Sequence, residues 1–247
     1  MKKIKKSSEL LWLFGIIFVA LGVAICNEAS LGVSMIAAPA FVIAEALSSI
    51  SSFFSVGVNE YIIQGLLLLI LCIVIRRFNW RYLLAFAVAV IYGYTLDLFL
   101  FIFEFFEVSA VWARWLLLLL GDLVCGFGVA CFFRTYFPLE VYELFVAELS
   151  KSFNLNVNKV KWIFDISLLV ISVTLALVLF GDIGDFDFST IGYSSFHSIG
   201  LGTIVTTIIN SPVINAMGKL IDKFFEPTPL FPKAKEFLTA DKNTNEQ

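Results

Sequence analysis

VNEYIIQGLLLLILCIVI (58–75), RRFNWR (76–81) and YLLAFAVAVIYGYTLDLFLFIF (82–103) follow one another without interruption. A helix that crosses about 30 Å of hydrocarbon needs about 20 mainly apolar residues, and each outer stretch supplies them. The hinge between them carries Arg76, Arg77 and Arg81. Lysine and arginine are retained on the cytoplasmic side of a membrane protein. The side that receives this hinge therefore decides how often the chain crosses.

Working outward, further apolar runs occupy 9–26, 115–133, 162–180 and 200–218. Two other segments are ambiguous. LGVSMIAAPAFVIAEAL (31–47) is apolar but broken by Pro39, and PLEVYELFVAELSK (138–151) is too charged to span. If neither crosses, Lys2, Lys3, Lys5 and Lys6 share one side with the hinge. Arg134, Lys151, Lys159, Lys161, Lys219, Lys223 and the tail lysines join them, leaving Arg114 alone opposite. The opposite side holds the acidic loops EFFE (104–107) and GDIGDFDFS (181–189). If 31–47 crossed, the hinge would move outside. The expectation is an all-α integral membrane protein with six transmembrane helices and both termini cytoplasmic.

Composition agrees. The chain is 60% hydrophobic and 15% charged, with mean hydropathy +0.92, against about 45–50% and 25% for soluble domains. The lipid bilayer is the expected partner of that surplus. A net charge of −3 argues against nucleic acid. Cys26, Cys72, Cys125 and Cys131 sit in or beside apolar runs at no metal or redox spacing, so they read as small buried hydrophobes. KKIKK before the first run reads as the start of an uncleaved first helix, since more apolar runs follow. No cofactor or metal motif is present. The expected membrane domain is 1–222, followed by a short cytoplasmic tail, 223–247, that is partly disordered.

The chain also reads twice, about 9–103 and 115–222. LGVA (21–24) matches FGVA (127–130), and Gly15 matches Gly121 as Gly22 matches Gly128. The run from 55 to 70 resembles 154–171, with Gln64 opposite Asp165, and YGYTLDLF (92–99) resembles NSPVINAM (210–217), with Asp97 opposite Asn215. Three spans per half would turn the second copy upside down, an inverted repeat in which each half adds a short re-entrant or interfacial helix. Such repeats are common in secondary transporters.

The ASLGVS turn (29–34), YGYTLDLF, VNKVKWIFDISLLVI (157–171) and GLGTIVTTIINSPVIN (200–215) resemble the YitT/YczE/YyaS group of bacterial membrane proteins, closest to the YczE side. Tyr136-Phe137-Pro138 and its Glu-rich sequel depart from that pattern. The resemblance implies a multi-pass protein of the bacterial plasma membrane with a presumed transport role. It supplies no substrate and no catalytic residue.

Asp97, Asp122 and Asp165 are the sharpest candidates for a pathway, because a carboxylate in hydrocarbon costs roughly 2.5–3.5 kcal/mol on insertion scales. They either belong to a proton- or cation-coupled path or hydrogen-bond between helices, with Gln64 or Asn215 among the partners. Glu45 joins the path if its segment dips into the membrane. Glu60, at the start of the second span, reads as interfacial or as part of an outer vestibule. Arg134 reads as a snorkelling side chain or an anion anchor, and His197 as a surface residue. The paired glycines suit close helix packing. The expected function is a small-solute secondary transporter or channel-like permease, with a possible small-molecule or ion substrate. The alternative is a non-transporting scaffold or regulator that binds a partner protein through 138–151 or the tail. No nucleophile–base or metal constellation suggests an enzyme.

Overall fold

A computed structural model describes residues 4–51, 53–106, 108–181 and 198–239. Six helices are long and apolar enough to cross a membrane: α1 (Ser8–Glu28), α3 (Val56–Ile75), α4 (Arg81–Phe103), α5 (Val111–Phe132), α7 (Val157–Phe180) and α8 (Leu201–Phe224). Two short helices, α2 (Ala38–Leu47) and α6 (Val141–Ser152), lie between them in sequence. The exterior of the bundle is apolar: Ile73 and Val178 are 74% and 76% exposed. Large apolar side chains are exposed along all six long helices, a continuous apolar surface that suits an apolar solvent. This is a multi-pass membrane protein.

Local chemistry sets the helix ends. Ser55 and Asn156 cap α3 and α7, their side chains accepting backbone N–H groups of Val58 and Asn158. α3 stops where Arg76 turns left-handed, at φ +55°, and α7 stops at Gly181, at φ +78°. Strand β1 (Ile4–Ser7) pairs in parallel with β2 (Phe225–Thr228), and α9 (Pro232–Thr239) follows. The segments that precede α1 and follow α8 therefore meet at one end of the bundle, as an even number of crossings requires. Glu9 fastens this end by accepting from Tyr136 Oη, from Ser7 Oγ at 2.7 Å and from Leu230 N at 2.9 Å.

α1 and α5 form the most intimate pair. Gly15 lies against Gly128 and Gly22 against Gly121, so the two helices run antiparallel. A methyl group added at Gly22 would stand 2.5 Å from the Cys125 backbone nitrogen, closer than any side chain tolerates. Here the absence of a side chain lets two backbones touch.

The short helices are interior. Residues 31–42 are buried without exception, and no residue from 141 to 150 is exposed. α2 and α6 are each inserted against both α3 and α7. Met35 and Ile36, just before α2, share a core with Tyr142 and Val146 of α6. The two broken segments thus meet inside the bundle instead of lying on its surface.

Candidate functional site

One face of α3 carries Glu60 and Gln64, four residues apart and both 0% exposed. The matching face of α7 carries Lys161 and Asp165, at the same spacing and 6% and 1% exposed. The start of α6 stands between them with Glu140, Tyr142 and Glu143, all buried. Glu140 is the N-cap of α6 but its side chain makes no capping bond, which leaves the carboxylate free to reach across.

Two hydrogen bonds tie α6 to α3. Gln64 Nε2 donates to Glu140 Oε1 at 2.8 Å, and the Tyr142 hydroxyl donates to Glu60 Oε2 at 2.7 Å. On α7, Lys161 Nζ meets Asp165 Oδ1 at 2.8 Å. Glu143 lies in the field of both Lys161 and Asp165. Four acids and one ammonium group therefore share a buried interior.

Charge is unbalanced there. Glu60 Oε1, Gln64 Oε1, Glu143 Oε2 and Asp165 Oδ2 have no partner among the described residues. An isolated buried carboxylate is costly and prefers its neutral form. Outside the six long helices, burial holds the Glu140 carboxyl well above the usual carboxylate range, with Glu143 and Glu60 adding to the effect. Burial raises Glu143 as well, against the partial relief given by Lys161. The partial positive charge at the start of α6 also favours carboxylates there.

Lys161 faces two ways. It also lines a cavity of about 290 Å³ between α6, α7 and α8, together with Val146, Ser211, Asn215, Lys219 and Arg134. Arg134 grips Asp222 with two bonds of 2.7 and 2.6 Å, so it is bound to a neighbour where snorkelling or an anion was expected. Ser211 Oγ and both side-chain polar atoms of Asn210, further buried groups of α8, have no partner among the described residues. The cavity lies beside the start of α7 and the later turns of α8, and Lys161 joins it to the acids.

Residues 6–219 match the model of a family described as a family of unknown function (DUF6198). The chain belongs to that family. No curated protein and no solved structure matches it. Every residue of the buried cluster falls inside the part of the chain that defines this DUF6198 membership.

The sequence candidates divide. Gln64 and Asp165 join the cluster. Asp122 is 3% exposed, lies beside Cys26 and Cys125, and leaves Oδ2 without a partner among the described residues. Asn215 is exposed and borders the cavity. Asp97 instead secures the start of α3, accepting from Ser55 Oγ at 2.6 Å and from Gly57 N at 2.8 Å. Glu45 is exposed at the far end of α2 and accepts from Ser198 Oγ at 3.3 Å. His197 and the acidic loop from 182 onward lie outside the described residues.

Sequence reading missed Glu60, Glu140, Glu143 and Lys161, placing Glu60 at an interface and Lys161 in a loop. A signal existed. Glu60 and Lys161 each stand five residues after the N-cap of their helix, and Gln64 and Asp165 each stand nine after it. Aligning Ser55 with Asn156 brings both buried pairs into register.

Proposed function

We propose that the protein is a small-solute permease or secondary transporter whose path runs through the buried cluster between α3, α6 and α7. The observation that carries this reading is the set of unpartnered buried oxygens beside the meeting point of two broken segments. Ionisable groups inside a membrane bundle are costly, and where they occur they commonly mark a substrate or ion path. The reading places the chain in the bacterial plasma membrane with both termini cytoplasmic, following the distribution of lysine and arginine and the resemblance to the YitT/YczE/YyaS group.

The same reading treats the chain as two inverted halves. Support comes from α1 and α5, whose crossing has the form of a self-complementary contact: Gly15 meets Gly128, and Gly22 meets Gly121. The equal offsets of the α3 and α7 pairs from their N-caps agree with it. Burial of Tyr142, Glu143 and Val146 removes most of α6 from any partner-binding role, which weakens the scaffold reading.

Reconstituted vesicles loaded with labelled amino acids, sugars, organic acids and monovalent cations test this proposal. Protein-dependent flux of one class, reduced at least tenfold by Asp165→Asn, is the expected result. Flux no greater than in protein-free vesicles for every class removes the proposal.

A further inference from the structure

The cluster holds four carboxyl groups, Glu60, Glu140, Glu143 and Asp165, and one cation, Lys161. Something must supply the missing positive charge. A metal ion would need several oxygens converging on one point. Among the described residues no three acids approach closely enough to hold one. The acids are instead strung out from Asp165 and Glu143 past Glu140 to Glu60, two of them accepting from the neutral donors Gln64 and Tyr142. A spaced row of this kind suits a ligand that needs only one oxygen at a time. The unpartnered Glu60 Oε1, Glu143 Oε2 and Asp165 Oδ2 provide such oxygens along its length.

We infer that the protein binds protons at this row, with Glu143 as the group that exchanges them with Asp165, beside the Lys161 ammonium group at the cavity end. This deepens the permease reading and rests on it by naming the coupling ion. Each transfer breaks one carboxyl O–H bond and forms another, so the donor becomes the carboxylate and the acceptor the acid. Lys161 keeps its ammonium charge and follows whichever of Asp165 or Glu143 is ionised.

The other groups around the row do not compensate it. From α4 the row meets the Tyr92 hydroxyl and from α5 the Cys125 thiol, neither of them a cation. α2 carries one ionisable side chain, Glu45, and it is exposed elsewhere. From α8, Lys219 reaches the cavity but lies at its exposed wall.

Infrared difference spectroscopy of the full chain in lipid vesicles, titrated from acid to alkaline pH, reads protonated carboxylic acids through their carbonyl stretch. The expected spectrum shows such acids at neutral pH, reduced in Glu60→Gln and in Glu143→Gln and unchanged in Glu45→Gln. Glu143→Asp keeps an acid at that place and restores the band, which separates loss of a proton site from misfolding. Absence of protonated acid at neutral pH in the native chain overturns the inference, even where solute flux is intact. Normal bands with no solute flux count against the permease reading alone.

Discussion

The helices α3 and α7 occupy similar positions in the two halves of the sequence, yet they solve one problem with different chemistry. Each presents a buried polar pair five and nine residues after its N-cap. On α3 the pair is Glu60 and Gln64, each bonded to α6 by a single hydrogen bond. On α7 the pair is Lys161 and Asp165, bonded to each other. The short helices differ in the same sense. α2 is buried through apolar residues, whereas α6 brings Glu140 and Glu143 into the interior. Two helices capped in the same register thus carry a one-sided charge distribution, with the cation of the cluster on α7. The difference teaches that backbone arrangement and site chemistry are specified separately: glycines and caps fix the first, and a few side chains fix the second.

The comparison breaks hardest at Lys161. Replacing it with methionine leaves Asp165 and Glu143 buried without their cation, and removing one partner of a buried ion pair costs about 3–5 kcal/mol. Thermal unfolding in detergent is expected to show a large loss for Lys161→Met. The double variant Lys161→Met/Asp165→Leu is expected to recover much of it. Equal stability of the single variant and the native chain would mean that Lys161 carries no net charge in the fold.

On α3 the corresponding change is milder. Gln64→Leu removes a neutral donor and strands Glu140, a loss of about 1–3 kcal/mol. Measured beside Lys161→Met, it is expected to be the smaller effect; the reverse order would erase the distinction between the two pairs.

Gly22→Ala tests the scaffold without touching charge. Its methyl group would stand 2.6 Å from the Gly121 carbonyl oxygen, so α1 and α5 must move apart. Overpacking of this type costs about 1–3 kcal/mol. Gly121→Ala meets the same crossing from the other helix, at 2.8 Å from the Gly22 carbonyl oxygen. The two single variants are expected to match in unfolding temperature and to be less than additive together, since either one already parts the helices.

Much of this was legible in the sequence. The six long helices follow from hydropathy, and the paired glycines announced a close helix contact. The places of α2 and α6 did not follow, because a segment of ten to twelve residues, apolar as in α2 or charge-bearing as in α6, looks the same whether it dips inward or lies flat. Glu60 and Lys161 were misplaced for a related reason: a charge near the end of an apolar run looks interfacial until the N-cap fixes how far inside the helix it stands. Glu140 and Glu143 looked solvated because their helix carries Glu148 and Lys151 as well. Their burial depends on α3 and α7 closing around α6, which no local pattern records.

Asp97 shows the same limit at its smallest scale. As an aspartate inside an apolar run it read as a pathway residue, equal in standing to Asp165. Its partner, Ser55, lies 42 residues away in sequence, so the bond is visible only in the fold. Asp97 secures the first turn of α3 through the Gly57 amide and the Ser55 hydroxyl, a capping role worth about 1 kcal/mol. Asp97→Asn keeps one acceptor oxygen and gives up the charge, so its cost is expected to stay at or below that figure. Flux or proton binding by the central cluster is expected to remain within a factor of two of native. A transport defect in Asp97→Asn as deep as that of Asp165→Asn would return Asp97 to the pathway and extend the polar row along α4.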